Sequence, residues 1–198
     1  MYKKFGKRVF DLIASIFGII FFLPVFIIVP ILIKIGSKGP VFFVQKRVGR
    51  DFKEFNLYKF RSMIADAPKK GLQITSTDDP RITKIGRVLR KTKLDELPQL
   101  INVIKGDMSL VGPRPEVNKY VDLKKDEYKK VLSVRPGITD LAAIEFVNEE
   151  EILSKFDDKE KAYIEKILPQ KIALYNKYID SISFLEDIRI ILKTLKVI

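Results

Sequence analysis

The chain has 198 residues, 37 Lys and Arg against 25 Asp and Glu for a formal charge of +12, and 46% hydrophobic residues. That length makes one domain around one modest core. The absence of His and Cys excludes His-assisted nucleophiles, zinc sites built on either residue, thiol chemistry and disulfides.

The first element is an apolar run, Leu12 to Ile33, whose only strongly polar side chain is Ser15. As a helix it would be about 33 Å long at roughly 1.5 Å per residue, enough to enter a bilayer. A cleavable leader has a shorter apolar region ending at small residues, which Pro30-Ile31-Leu32-Ile33-Lys34 does not offer. Lys3, Lys4, Lys7 and Arg8 precede the run, and Lys34, Lys38, Lys46, Arg47 and Arg50 follow it. Positive charge favours the cytoplasmic side, and a straight span cannot place both flanks there. Pro24 removes the amide that would bond to the carbonyl of Ile20 and bends the helix. On charge and proline alone, a re-entrant bend and a spanning anchor stand level.

The breaker cluster Gly36-Ser37-Lys38-Gly39-Pro40 comes next. Val41 to Val44 and Phe55 to Phe60, on either side of a Gly49-containing turn, predict a β-hairpin. The polar run Lys69 to Pro80 predicts a loop. Ile82–Lys91 and Leu94–Ile104 predict helices joined at Thr92 as N-cap. Gly106 and Gly112-Pro113-Arg114-Pro115 end the second helix and impose a stiff, extended segment. Beyond Pro136-Gly137 the pattern is charged and helical, with a break expected at Pro169. Phe184 to Ile198 has apolar residues at helical spacing, compatible with core packing or with lying at a membrane interface.

Residues 1–114 hold 22 Lys and Arg against 9 Asp and Glu, a balance of +13, while residues 115–198 hold 15 against 16. This asymmetry points to an anionic partner: phosphate, nucleic acid or an anionic membrane surface. Within 81–114 stands the acidic pair Asp95-Glu96 near a predicted helix start, where helix amides stabilise anions. Such a carboxylate serves as a nucleophile, a metal ligand or an ordinary cap. Lys59, Arg61, Arg87, Arg90 and Arg114 lie on separate segments that breaker residues allow to fold back toward it, and Arg forks bind phosphate oxygens bidentately. Each alone reads as a surface cation; the combination is what a carboxylate attacking a phosphate needs, with a divalent ion to offset repulsion.

The runs Lys46-Arg47-Val48-Gly49, Tyr58-Lys59-Phe60-Arg61-Ser62-Met63, Asp79-Pro80-Arg81-Ile82-Thr83 and Leu94-Asp95-Glu96-Leu97-Pro98-Gln99-Leu100 continue through Asn102-Val103, Gly106 to Pro115 and Arg135-Pro136-Gly137-Ile138-Thr139. In this order they resemble the small monotopic polyprenyl-phosphate phosphoglycosyl transferases, bacterial sugar transferases that start membrane-linked glycan assembly. The resemblance implies an α+β, mainly helical, membrane-associated monotopic domain with a small β-hairpin. Residues 1–36 would form a re-entrant helix bent near Pro24, and residues 37–198 a cytoplasmic catalytic domain with interfacial helices. The protein would sit on the cytoplasmic face of a bacterial inner membrane. Its implied partners are a UDP-sugar, polyprenyl (undecaprenyl) phosphate and the lipid bilayer, with no nucleic acid; self-association stays open.

The implied reaction has two steps with Mg²⁺ as cofactor. The Asp95 carboxylate attacks the β-phosphate of the UDP-sugar, UMP leaves, and polyprenyl phosphate then takes the phosphosugar from the enzyme. Asp95 and Glu96 would be catalytic and metal-binding, and Lys59, Arg61, Arg90 and Arg114 would hold phosphates. Two departures stand out. Leu23 replaces a Ser often found before the bending proline, and Asp140 to Glu149 replaces a stretch that often carries an arginine. Readings of another class, motivated by the basic first 114 residues, are a membrane-tethered nucleic-acid-binding module and a non-catalytic scaffold.

Overall fold

In the computed structural model, which describes residues 2–67 and 79–197, the apolar N-terminal run forms two helices. Helix α1 (Lys7–Phe21) and helix α2 (Leu23–Gly36) meet across Phe22 at an angle of 60°. Phe22, at φ −90° and ψ 14°, carries the break. Its amide still closes α1 onto the Gly18 carbonyl at 2.9 Å, and its carbonyl opens α2 by accepting from Val25 and Phe26. Pro24 falls in the first turn of α2, where the missing amide costs nothing because no intrahelical acceptor exists for it. No single described helix is long and apolar enough to cross a membrane, whereas the bent pair passes that test together by length and composition.

Both helices dock on the rest of the chain through one side. Arg8 donates to the carbonyls of Val103 and Ile104, and the buried Asp11 accepts from the Leu110 amide. From α2, Val29 and Ile33 pack with Phe60 and Leu89 in a small core. Each such fully buried aliphatic side chain contributes about 1.5–3 kcal/mol. The outward side stays apolar and exposed at Ile13, Phe17, Ile20, Ile27, Ile31 and Ile35.

The expected hairpin is present: β1 (Phe42–Val48) pairs antiparallel with β2 (Glu54–Phe60), Lys59 opposite Phe43. The loop expected over Lys69–Pro80 lies outside the described residues as far as Asp78. Helix α3 (Lys84–Lys91) starts at Thr83, whose hydroxyl accepts from the Gly86 amide. Thr92 is not the N-cap the sequence suggested. It closes α3 instead, its hydroxyl donating back to the carbonyl of Val88. The single helix expected over Leu94–Ile104 is also divided, into a 3₁₀ turn (Leu94–Glu96) and helix α4 (Gln99–Lys105). Pro98 between them has no amide to continue a ladder. Gly106 ends α4 as expected, at φ +93°, a backbone conformation that glycine adopts without steric cost.

Two three-residue strands that the sequence pattern did not disclose, β3 (Ser109–Val111) and β4 (Gly137–Thr139), pair in parallel. Between them lie α5 (Asn118–Leu123) and α6 (Lys125–Val131). After β4 come α7 (Leu141–Glu145), α8 (Glu149–Ser154), α9 (Lys159–Ala162), α10 (Leu168–Ser181) and α11 (Phe184–Val197). The break expected at Pro169 does not occur. A π-helical turn, Tyr163–Ile167, joins α9 to α10, and Pro169 sits in the first turn of α10. The largest core packs Tyr120, Tyr128, Tyr163 and Tyr175 with aliphatics of α5, α6 and α10. Helix α11 buries Ile190 and Asp187 while Leu185, Leu192 and Leu195 remain exposed. The architecture is mainly helical α+β, as the sequence indicated.

Candidate active site

Lys59, Glu96 and Arg114 come together from three segments that are distant in sequence. Lys59 stands near the end of β2, and its Nζ lies 2.9 Å from Glu96 Oε1. Arg114 reaches the same oxygen through Nη2 at 2.5 Å and approaches Oε2 through Nη1 at 3.4 Å. Burial alone would raise the Glu96 pKa, but the charges and hydrogen bonds of Arg114 and Lys59 outweigh it and hold the carboxyl well below the usual carboxylate range. Glu96 correspondingly raises the pKa of Arg114. Burial lowers that of Lys59 against the opposing pull of Glu96.

The backbone explains why these groups converge. Arg114 follows β3 in the Gly112-Pro113-Arg114-Pro115 segment, which is tied to β4 by Gly112 N–H to Thr139 O at 3.0 Å and Gly137 N–H to Pro113 O at 2.9 Å. A Cβ on Gly137 would stand 2.1 Å from the Gly112 nitrogen, so the close approach that sets Arg114 requires glycine there. Lys59 is set by Asn102 of α4, which accepts from the Tyr58 amide and donates to the Asn56 carbonyl. The sequence reading gave Asn102 no role; a polar residue within the apolar pattern of α4 was the available signal.

Asp95 is 6% exposed, and its Oδ1 is buried with no hydrogen-bond partner. Burial raises its pKa, Lys59 opposes that and Glu96 adds to it. The adjacent carboxylates are thus pushed in opposite directions, the pattern of two acids with separate roles. Among the described residues no group of three acidic side chains gathers as a metal site. The open oxygen of Asp95 nevertheless fits a hard cation that takes one or two carboxylates and completes its shell with phosphate and water.

The other predicted cations lie differently. Arg90, on α3, forms an ion pair with Glu150 of α8. Arg61 is buried and donates to the carbonyls of Ser37 and Lys38 and to the Ser37 hydroxyl, where α2 meets β1, away from Glu96. Arg87 is exposed on α3. Two further charged pairs border the site without having been anticipated: Arg47 with Glu116 at 3.1 Å and Lys171 with Glu149 at 2.8 Å.

A family model described as "Bacterial sugar transferase" matches residues 2–198, and the chain belongs to that family. It is 44% identical over 145 residues, 71% of this chain and 34% of the relative, to the UDP-N-acetylgalactosamine-undecaprenyl-phosphate N-acetylgalactosaminephosphotransferase of Aeromonas hydrophila. It is 39% identical to the undecaprenyl-phosphate glucose phosphotransferase of Komagataeibacter xylinus, over 96% of this chain and 35% of the relative. It is 35% identical to the undecaprenyl-phosphate galactose phosphotransferase of Salmonella typhimurium, over 99% of this chain and 41% of the relative. The chain therefore spans less than half the length of these curated relatives.

Proposed function

We propose that this member of the bacterial sugar transferase family moves a sugar phosphate from a UDP-sugar to undecaprenyl phosphate, as a membrane step of polysaccharide assembly. The observation that carries this reading is the buried, unpartnered oxygen of Asp95 beside a Glu96 clamped by Lys59 and Arg114. The three named relatives act on undecaprenyl phosphate with three different sugars, which supports the acceptor and leaves the sugar to a part of the site that varies.

In the reaction, a carboxylate oxygen of Asp95 attacks the β-phosphorus of the donor. The bond from that phosphorus to the bridging oxygen breaks, and UMP departs with the electron pair. An oxygen of undecaprenyl phosphate then attacks the same phosphorus, and the acyl phosphate bond breaks to regenerate Asp95. This is covalent catalysis through an activated carboxylate. Lys59 and Arg114 hold donor phosphate oxygens, and Arg90 joins them when the donor displaces Glu150. Glu96 keeps the two cations in place. Mg²⁺ is the proposed cofactor, held by Asp95 and Glu96, and when bound it supplies neutralisation of phosphate charge.

The bent α1–α2 pair is proposed to dip into one leaflet and return, which puts both basic flanks on the cytoplasmic face and the exposed apolar sides in lipid. The exposed leucines of α11 would rest at the same surface. The decisive experiment measures UMP release from UDP-sugars in detergent or nanodiscs, with Mg²⁺ or chelator, with or without undecaprenyl phosphate. A stoichiometric burst without lipid and turnover with it is the expected result. No release from any donor, by protein that is folded, would replace this reading with the scaffold.

A further inference from the structure

Beside the site, and sharing Arg114 with it, is a cavity of about 180 Å³ whose walls also include Arg47, Glu116, Glu149, Tyr163 and Lys171. That is smaller than the roughly 300–1,000 Å³ of pockets that take drug-sized ligands, and it suits one ring rather than a nucleotide.

The chemistry of its walls separates it from the phosphate cluster. The cations Arg47, Arg114 and Lys171 are matched by the acids Glu116, Glu149 and Glu150, so the cavity offers no net positive charge to a second phosphate. It presents paired charges with hydrogen-bonding capacity to spare. Lys171 Nζ has three N–H groups, and its side chain is 6% exposed beside Glu149. The Nε of Arg47 is buried without a partner, although its other nitrogens bond Gln45, Pro115 and Glu116. Tyr163 donates to Glu116 Oε2 at 2.5 Å, which fixes that carboxylate. Donors and acceptors interleaved in this way match hydroxyl and amide groups, which must give and accept hydrogen bonds within one ring.

Arg114 borders both the carboxylate pair and the cavity. With the β-phosphorus of a donor at Asp95 and its oxygens on Arg114, the sugar lies one oxygen atom beyond the phosphorus. We propose that this cavity receives the donor's sugar, and that the Lys171–Glu149 pair, from α10 and the start of α8, reads its hydroxyl or amide substituents. This inference rests on the sugar-phosphate transfer proposed above. Glu149 closes the stretch, Asp140 to Glu149, that departs from the pattern often found in the family.

The test compares wild type with Glu149→Gln and Tyr163→Phe, both close in shape to the native residues, using UDP-glucose, UDP-galactose, UDP-N-acetylgalactosamine and UDP. Dissociation constants and UMP release are measured for each. Glu149→Gln is expected to change the ratio between two of the sugars by about tenfold, as loss of a hydrogen bond to a charged group does, while UDP binding stays within about twofold. Tyr163→Phe should shift the same ratio by less, and it keeps the test alive if Glu149→Gln does not fold. Equal weakening of all donors and UDP, or an unchanged ranking with UMP still released, overturns the inference and spares the transfer. Binding of UDP without UMP release from any donor by wild type overturns the transfer itself.

Discussion

Asn102 accepts the backbone amide of Tyr58 through Oδ1 at 3.1 Å, and this bond fixes the strand position immediately before Lys59 relative to the turn that carries Asp95 and Glu96. The same side chain donates to the Asn56 carbonyl at 2.7 Å and is fully buried. Asn102→Ala would leave the Tyr58 amide and the Asn56 carbonyl of β2 without their partner. A group left unsatisfied costs about 1–3 kcal/mol, so the two together cost about 2–6 kcal/mol in denaturant unfolding, nearer the lower figure because Asn56 is exposed. UMP release should fall further than the unfolded fraction explains, because Lys59 loses its placement.

Asp95→Asn keeps the volume and removes the proposed nucleophile. Release of UMP should drop below detection, and no phosphosugar adduct should appear by intact-protein mass spectrometry. Circular dichroism should match that of wild type. Full activity in this variant would remove Asp95 from the role.

Burial raises the Asp95 pKa and lowers that of Lys59. Asp95 acts when deprotonated, so activity climbs with pH through an acid limb lying above the ordinary Asp value of about 3.9. Lys59 acts when protonated, so activity falls through an alkaline limb below the ordinary Lys value of about 10.4. The profile of kcat/KM against pH should be a bell narrower than unperturbed groups would give. Lys59→Arg should move the alkaline limb upward and leave the acid limb where it is.

The proposed re-entry of the bent α1–α2 pair predicts that both ends of the apolar segment lie on one side of a membrane, where a broken span would separate them. The chain has no native Cys, so Lys3→Cys and Lys38→Cys give clean reporters. Both should resist an impermeant thiol reagent added outside intact cells and react after permeabilisation. Labelling of one of them from outside would establish a span.

Asp187 of α11 gathers three donors: Tyr2 at 2.5 Å, Lys7 at 2.6 Å and Tyr178 at 2.6 Å. Asp187→Ala leaves Lys7 with little solvent and without its hydrogen-bonded counter-charge, Asp11 acting on it only at longer range; breaking a buried pair costs about 3–5 kcal/mol, an upper figure here. The double variant Lys7→Met with Asp187→Leu should recover part of that loss, measured as a coupling energy in a double-mutant cycle.

Local chemistry made several features readable from the chain alone. The proline in the middle of the apolar run signalled a bend, because proline is at home only in the first turn of a helix; the break falls at Phe22, and Pro24 opens α2. The hairpin follows from two β-rich runs about a glycine, and the stop at Gly106 from the need for positive φ. The carboxylate pair among cations marked the candidate site through residue type and order. The two prolines of the later helices were each misread, and neighbouring geometry decided: Pro98, expected inside one helix, divides it, while Pro169, expected as a break, stands in a first turn where its missing amide has no partner to lose.

Pairings across sequence distance were settled only in three dimensions. Strands β3 and β4, three residues each, are too short to carry a periodic signal and exist through each other. The register of that pair sets Arg114, and Asn102 sets Lys59; neither placement is written in either segment by itself. Arg61 and Arg90 have the same side chain within one basic region, yet one is held by the carbonyls of Ser37 and Lys38 and the other by Glu150. The sequence alone determined which charges were available near the site. Which of them meet was decided by packing, because burial makes each polar group take whichever partner the fold brings within hydrogen-bond reach.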